Sequence, residues 1–155
     1  MGLQELFQPN DLIVGLEAHD KWDAIDRMMK HLVDAGRLTS DQSPAIHEAV
    51  TNRERSMSTG MERHIAIPHA AVDGLDKVVA AIAIVGAPGG LNFESIDGSA
   101  THLVVLLLIP KAQKLLHIRT LADVARVLGR EEVRDALRAA ETPEQAWDAL
   151  AVGAT

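Results

Sequence analysis

Two nearly continuous apolar runs, Val78 to Val85 and Leu103 to Ile109, constrain this chain more than any other feature. Both are rich in branched residues and neither alternates with polar ones, the pattern of central strands covered on both faces. A sheet buried on both sides needs helices above and below it. The pattern therefore predicts an α/β fold, a single layered domain with a mixed, largely buried β-sheet flanked by helices. No internal repeat, low-complexity tract or long linker interrupts the 155 residues, so 1–155 reads as one domain.

The flanking elements carry their own signals. Leu12-Ile13-Val14-Gly15-Leu16 reads as a first strand. Asp20 then caps a helix with Ile25, Met28, Met29, Leu32 and Val33 at helical spacing, and Gly36 ends it. A second helix is expected from Ser43-Pro44, a cap followed by proline at the first helical position. Its apolar stripe is Ile46, Ala49 and Val50, and the next position on that stripe is Arg53. A guanidinium on an inward face is costly unless it meets an anion or acceptor; otherwise it snorkels to the surface. Turn signals at Ala87-Pro88-Gly89-Gly90 and Asp97-Gly98 flank a short Leu91-Asn92-Phe93 segment. The carboxyl third reads as helical. Ile118, Leu121, Ala122, Ala125 and Leu128 define one helix, Val133, Ala136, Leu137 and Ala140 another, and the capping box Thr142-Pro143-Glu144-Gln145 opens the last.

Aromatic residues make up only 3% of the chain and tyrosine is absent, so the core must be built from Ala, Val, Leu, Ile and Met. The absence of cysteine excludes a disulfide scaffold, a thiolate metal site and a cysteine nucleophile, and makes the cytoplasm the expected location. The amino terminus lacks the basic and apolar regions of a signal peptide. The longest apolar run falls far short of the roughly 20 residues needed to span a bilayer, so no membrane insertion is expected. A formal net charge of −7 argues against a nucleic-acid-binding surface.

Chemistry concentrates in Ile65-Ala66-Ile67-Pro68-His69-Ala70. Ile65 to Ile67 suits a brief buried strand. Pro68 has no N–H and restricts Ile67 to an extended conformation, so sheet pairing is expected to stop there and His69 to emerge at the strand exit, facing a cleft. Ser58-Thr59-Gly60 is a turn-prone loop that can shape the cleft wall. His117 stands in the first turns of the helix after Leu103–Ile109, and a strand's carboxyl end followed by a helix start is where α/β folds gather ligands and anions.

A dedicated metal site is not expected from the seven histidines. His64 and His69 are five apart and point to opposite faces of an extended chain, and there is no His-Glu-x-x-His pair. His19, His31, His47 and His102 read as solvated or capped. No Walker loop, G-x-G-x-x-G or G-x-S-x-G elbow appears.

Taken in order, Arg53-Glu54, Ser58-Thr59-Gly60 and Ile65 to Ala70 resemble the signature of the enzyme IIA domain of the bacterial phosphoenolpyruvate-dependent sugar phosphotransferase system, in its fructose–mannitol class, which includes the nitrogen-regulatory IIA proteins. Gly90-Leu91-Asn92-Phe93-Glu94-Ser95-Ile96-Asp97-Gly98, Leu103 to Pro110, and His117-Ile118 with Leu121-Ala122 extend the likeness over nearly the whole chain. The resemblance implies a phosphohistidine carrier that needs no cofactor. His69 would take a phosphoryl group from the histidine-containing phosphocarrier protein and pass it to a IIB protein or use it as a signal to a regulatory target. His117 would hold the phosphoryl oxygens or position His69, Arg53 would supply fixed positive charge, and Thr59 and Ser58 would add hydroxyl donors. The chain departs from the family at Met61-Glu62-Arg63-His64, where more glycine is usual.

Two roles fit this resemblance: a carrier for sugar transport, or a nitrogen-type regulatory protein whose phosphorylation state controls binding, the role towards which a stand-alone chain leans. Without cysteine, no cysteine-using IIB segment is expected within these residues. The reading from another class is a metal-dependent hydrolase using His64, His69 and His117.

Overall fold

The computed structural model describes residues 3–152. Its elements in chain order are β1 (Leu12–Leu16), α1 (Lys21–Asp34), α2 (Ser43–Ser56), β2 (Ile65–Ala66), β3 (His69–Val72), β4 (Val79–Val85), β5 (Leu103–Pro110), α3 (Lys114–Leu128), α4 (Glu131–Ala139) and α5 (Pro143–Ala149), after two short 3-10 turns. The sheet runs β1-β4-β5, with β2 and β3 both paired along the other side of β5. β1 is parallel to β4, β4 is antiparallel to β5, and β2 and β3 are parallel to β5, so the sheet is mixed as expected.

Every residue of β4 and β5 is buried, which is why both runs read as continuously apolar. Their side chains alternate strictly between two cores. Val104, Leu106 and Leu108 pack with Ala81, Ala83 and the Met28, Met29 and Ile46 side chains of α1 and α2. Leu103, Val105, Leu107 and Ile109 pack with Ile82, Ile84 and the Val124, Leu128, Val133 and Leu137 side chains of α3 and α4. Among the described residues no helix is long and apolar enough to cross a membrane.

The helix ends follow the sequence signals with small shifts. The Asp20 side chain accepts from Asp23 N at 2.8 Å, and Gly36 follows α1 with φ +77°, a conformation that favours glycine. The N-cap of α2 is Gln42, one residue before the expected Ser43, because Thr39 and Gln42 already exchange reciprocal side-chain-to-backbone bonds at 3.1 and 3.0 Å. Thr142 caps α5 through Gln145 N at 3.1 Å, but the Gln145 side chain returns to Glu141 N rather than to Thr142. On α3 the inward phase differs from expectation. Thr120, Val124, Val127 and Leu128 face the core, whereas Ile118 is 66% exposed and Ala122 and Ala125 are exposed. Apolar residues occupy both phases of this helix, and packing against β5 selects one of them.

Candidate functional site

Pro68 does not end sheet pairing; it splits one edge strand into β2 and β3. The missing N–H removes a donor, yet the Pro68 carbonyl still accepts from Leu107 N at 3.0 Å, and His69 pairs with Leu107 as the first residue of β3. A strand on the sheet edge tolerates such a break. His69 thus opens a strand instead of leaving one. The Ile67 N–H, turned away from β5, donates to Thr59 O at 3.1 Å and ties the 58–60 loop to the strand break.

That break also places an acceptor beside the imidazole. His69 Nδ1 lies 2.7 Å from Ile67 O. A carbonyl only accepts, so Nδ1 carries the proton and Nε2 keeps its lone pair. His117, from the first turns of α3, stands edge-on to this ring, with centroids 5.6 Å apart and planes at 83°. Burial is the main cause that holds the His69 pKa below its ordinary 6.5, and the Arg53 guanidinium and the neighbouring His117 push the same way; the Ile67 hydrogen bond and Glu54 oppose them in part. His69 is therefore neutral near pH 7, with one nitrogen free to attack.

The lowered pKa makes a directional prediction. The unfolded chain binds this proton more readily than the fold does, so stability is lost as pH falls from the ordinary 6.5 towards the lower folded value. His102, lowered mainly by burial, adds to the same loss. The thermal midpoint should fall over that window, and NMR titration of the His69 ring should give a midpoint below 6.5. A His69 midpoint at or above the ordinary value contradicts the burial argument.

Glu54, and not Arg53 as expected, takes the inward position on α2. Val50 is buried, and the position four residues on is Glu54, which is 2% exposed. Arg53 is half-buried, donates from Nη1 to Met57 O at 2.9 Å, and reaches His69 with its charge from the rim. The stripe can be continued by three residues or by four, and packing of α2 against β3 selects four. Glu54 Oε2 meets Lys21 Nζ at 3.3 Å and Thr59 N at 2.9 Å, and Thr59 Oγ1 donates to Oε1 at 2.5 Å. Sequence reasoning missed Glu54 and Lys21. The available signal was an acidic residue in the phase of Ile46 and Val50, which demands a buried partner; nothing local marks Lys21 as that partner.

Ser58 and Thr59 adjoin the site, but their hydroxyl protons point away from it. Ser58 Oγ donates to Phe93 O and accepts from Gly60 N at 3.1 Å, and Thr59 donates to Glu54. With those bonds made, neither hydroxyl is free to donate to a phosphoryl oxygen, so both side chains act here as braces of the loop. A Cβ on Gly60 would lie 2.6 Å from Phe93 O and 2.8 Å from Ser95 Cα, so the loop packs against 93–95 only with glycine there.

His64 lies elsewhere. Ile65 pairs with Leu103 and His69 with Leu107, about 13 Å apart along β5, and His64 lies one residue beyond Ile65. His64 Nδ1 lies 2.8 Å from Ala100 O and its ring neighbours His102, so the trio His64, His69 and His117 is not assembled. Among the described residues no group of three or more His, Asp or Glu could hold a metal ion. His31 and His47 are capped as expected, with His31 Nε2 2.6 Å from Asn10 O and His47 paired with Asp26, and His19 is exposed, whereas His102 is half-buried with its ring against His64.

The chain is similar to known proteins over nearly its whole length. The family described as "Phosphoenolpyruvate-dependent sugar phosphotransferase system, EIIA 2" matches residues 5–152. The fructose-specific EIIABC component of Bacillus subtilis is 33% identical over 150 residues, which cover 97% of this chain and 23% of that protein. The chain thus spans about a quarter of that relative's length. A nitrogen regulatory protein of Pseudomonas aeruginosa is 32% identical over 142 residues, covering 92% of this chain and 90% of that one. The crystal structure of nitrogen regulatory protein IIA-Ntr from Neisseria meningitidis superposes with a TM-score of 0.83 at 22% identity, over 96% of this chain and 98% of that one. The Escherichia coli IIA mannitol component, solved in complex with phosphorylated IIB, gives 0.75 at 21% identity over 94% and 97%. The structural likeness carries the fold alone. The family match runs through β2, β3 and both ring-paired histidines, and by it the chain belongs to the EIIA 2 family of the phosphoenolpyruvate-dependent sugar phosphotransferase system.

Proposed function

We propose that this chain is a phosphohistidine carrier in which Nε2 of His69 accepts a phosphoryl group from a histidine-containing phosphocarrier protein and passes it to a IIB protein. One observation carries the reading: Nδ1–H is fixed on Ile67 O, so a neutral imidazole presents its lone pair beside His117. As the Nε2–P bond forms, the donor's P–N bond breaks and its electron pair returns to the donor nitrogen. The His69 ring gains positive charge, which the Ile67 carbonyl opposite Nδ1–H stabilises. Arg53 and His117 meet the phosphoryl oxygens, while Ser58 and Thr59 hold the loop that frames them. A IIB partner is supported by the mannitol IIA that was solved with phosphorylated IIB. The cytoplasm is where such a relay would work.

A regulatory role is the second reading, because nitrogen regulatory relatives, two of them covered over 96% and 90% of their length, stand among the similar proteins beside the sugar-specific ones. Adding a phosphoryl group brings about 1.5 to 2 negative charges, by analogy with other phosphoresidues, enough to switch a protein interface.

The test is incubation with phosphoenolpyruvate, enzyme I and the phosphocarrier protein. Acid-labile, base-stable phosphate on the chain is expected, and its absence with active partners overturns the reading. His117→Ala should still accept phosphate but donate it to a IIB protein on the order of tenfold more slowly, a smaller loss than the roughly 10²–10⁴-fold of a side chain that transfers the reacting proton itself. Undiminished donation removes His117 from the transfer.

A further inference from the structure

We propose that Glu54, braced by Lys21, is a positioning residue that sets His69 through an unbroken series of hydrogen bonds; the inference rests on the phosphocarrier reading. Lys21 Nζ lies 3.3 Å from Glu54 Oε2, and the same carboxylate takes both Thr59 N–H at 2.9 Å and the Thr59 hydroxyl at 2.5 Å. Thr59 O accepts from Ile67 N at 3.1 Å, and Ile67 O accepts from His69 Nδ1 at 2.7 Å. Five residues from α1, α2, the loop, the strand break and β3 are thereby fixed relative to one another. Each link crosses a residue and not a single peptide group. The coupling is therefore positional: it determines where the Ile67 carbonyl lies, and the carbonyl determines which ring nitrogen carries the proton.

Fold stability by itself gives little reason for this arrangement. The Glu54 side chain has no exposure and that of Lys21 has 8%, and buried ion pairs are often matched or bettered by apolar pairs of the same volume. What an apolar pair could not supply is one acceptor group with two oxygens for the two donors of Thr59. An amide at this position has a single acceptor oxygen where three donors converge. Lys21 also stands 3.7 Å from Glu94 in the loop that Ser58 and Gly60 pack against, so these two loops share an anchor.

The test compares wild type, Glu54→Gln, Thr59→Val and both together, all as full chains. In unphosphorylated wild type, nitrogen NMR of the His69 ring should place the proton on Nδ1 alone. Glu54→Gln should give a mixture of Nδ1–H and Nε2–H forms, lower the ring's titration midpoint, and slow phosphoryl acceptance about tenfold. Thr59→Val, which keeps the buried ion pair, should act in the same direction by about threefold. The double variant should be no slower than Glu54→Gln, as expected for residues acting in series. Lys21→Met with Glu54→Gln should recover the thermal midpoint lost in Glu54→Gln without recovering the rate; recovery of both would assign the pair to stability alone and overturn the proposal. A pure Nδ1–H ring and wild-type acceptance in folded Glu54→Gln and Thr59→Val would overturn it as well. The tautomer measurement needs no partner protein, so its result stands apart from success or failure of the phosphorylation assay.

Discussion

His69→Ala is expected to abolish phosphate incorporation from phosphoenolpyruvate while leaving the fold intact. His69 is half-buried, on the edge of the sheet, and its side chain bonds Ile67 O, so truncation opens a site that water can reach without an unpaired charge in the core. The chemical loss should be total, because among the described residues beside it none but His69 combines a ring nitrogen lone pair with a fixed acceptor on the other ring nitrogen. His117 stands next to it, but its position edge-on to His69 suits it to hold oxygens instead of replacing the nucleophile. Labelling should be measured together with the circular dichroism spectrum. Full labelling of a folded His69→Ala protein would sink the carrier assignment and move attention to His117.

Arg53→Ala carries the second largest expected effect, a loss on the order of 100-fold in phosphoryl acceptance, the scale of removing one preorganised donor from a site where charge develops. The guanidinium is held on Met57 O at the carboxyl end of α2, so its reach toward His69 is set before the phosphoryl group arrives. Arg53→Lys keeps the charge but not the fork, and should fall between wild type and alanine. Removal of this positive charge should also raise the His69 titration midpoint, since Arg53 contributes to lowering it. Wild-type kinetics and an unmoved midpoint in folded Arg53→Ala would leave Arg53 as a rim side chain with no part in transfer.

Much of the fold was legible because burial on both faces leaves a continuous apolar run, and β4 and β5 are such runs. The cap at Asp20 and the stop at Gly36 were legible because they rest on local backbone chemistry. The less legible features all had two local solutions. Ile118 and Val124 lie on different faces of α3, and only contact with β5 puts Val124 inside. Arg53 and Glu54 both continue the α2 stripe, and only the edge strand decides which is buried. Pro68 removes one donor, but whether pairing resumes depends on how β5 presents Leu107 to the Pro68 carbonyl.

Sequence alone determined the layered α/β class and singled out His69, His117 and Arg53 as the candidate residues, because periodicity, residue type and motif order are properties of the chain read along its length. Tertiary structure decided the proton on Nδ1, the inward turn of the Ser58 and Thr59 hydroxyls, and the Lys21–Glu54 anchor beneath them. Each of these joins residues from separate elements, and a hydrogen bond or buried ion pair exists only where folding brings donor and acceptor within reach and keeps water out.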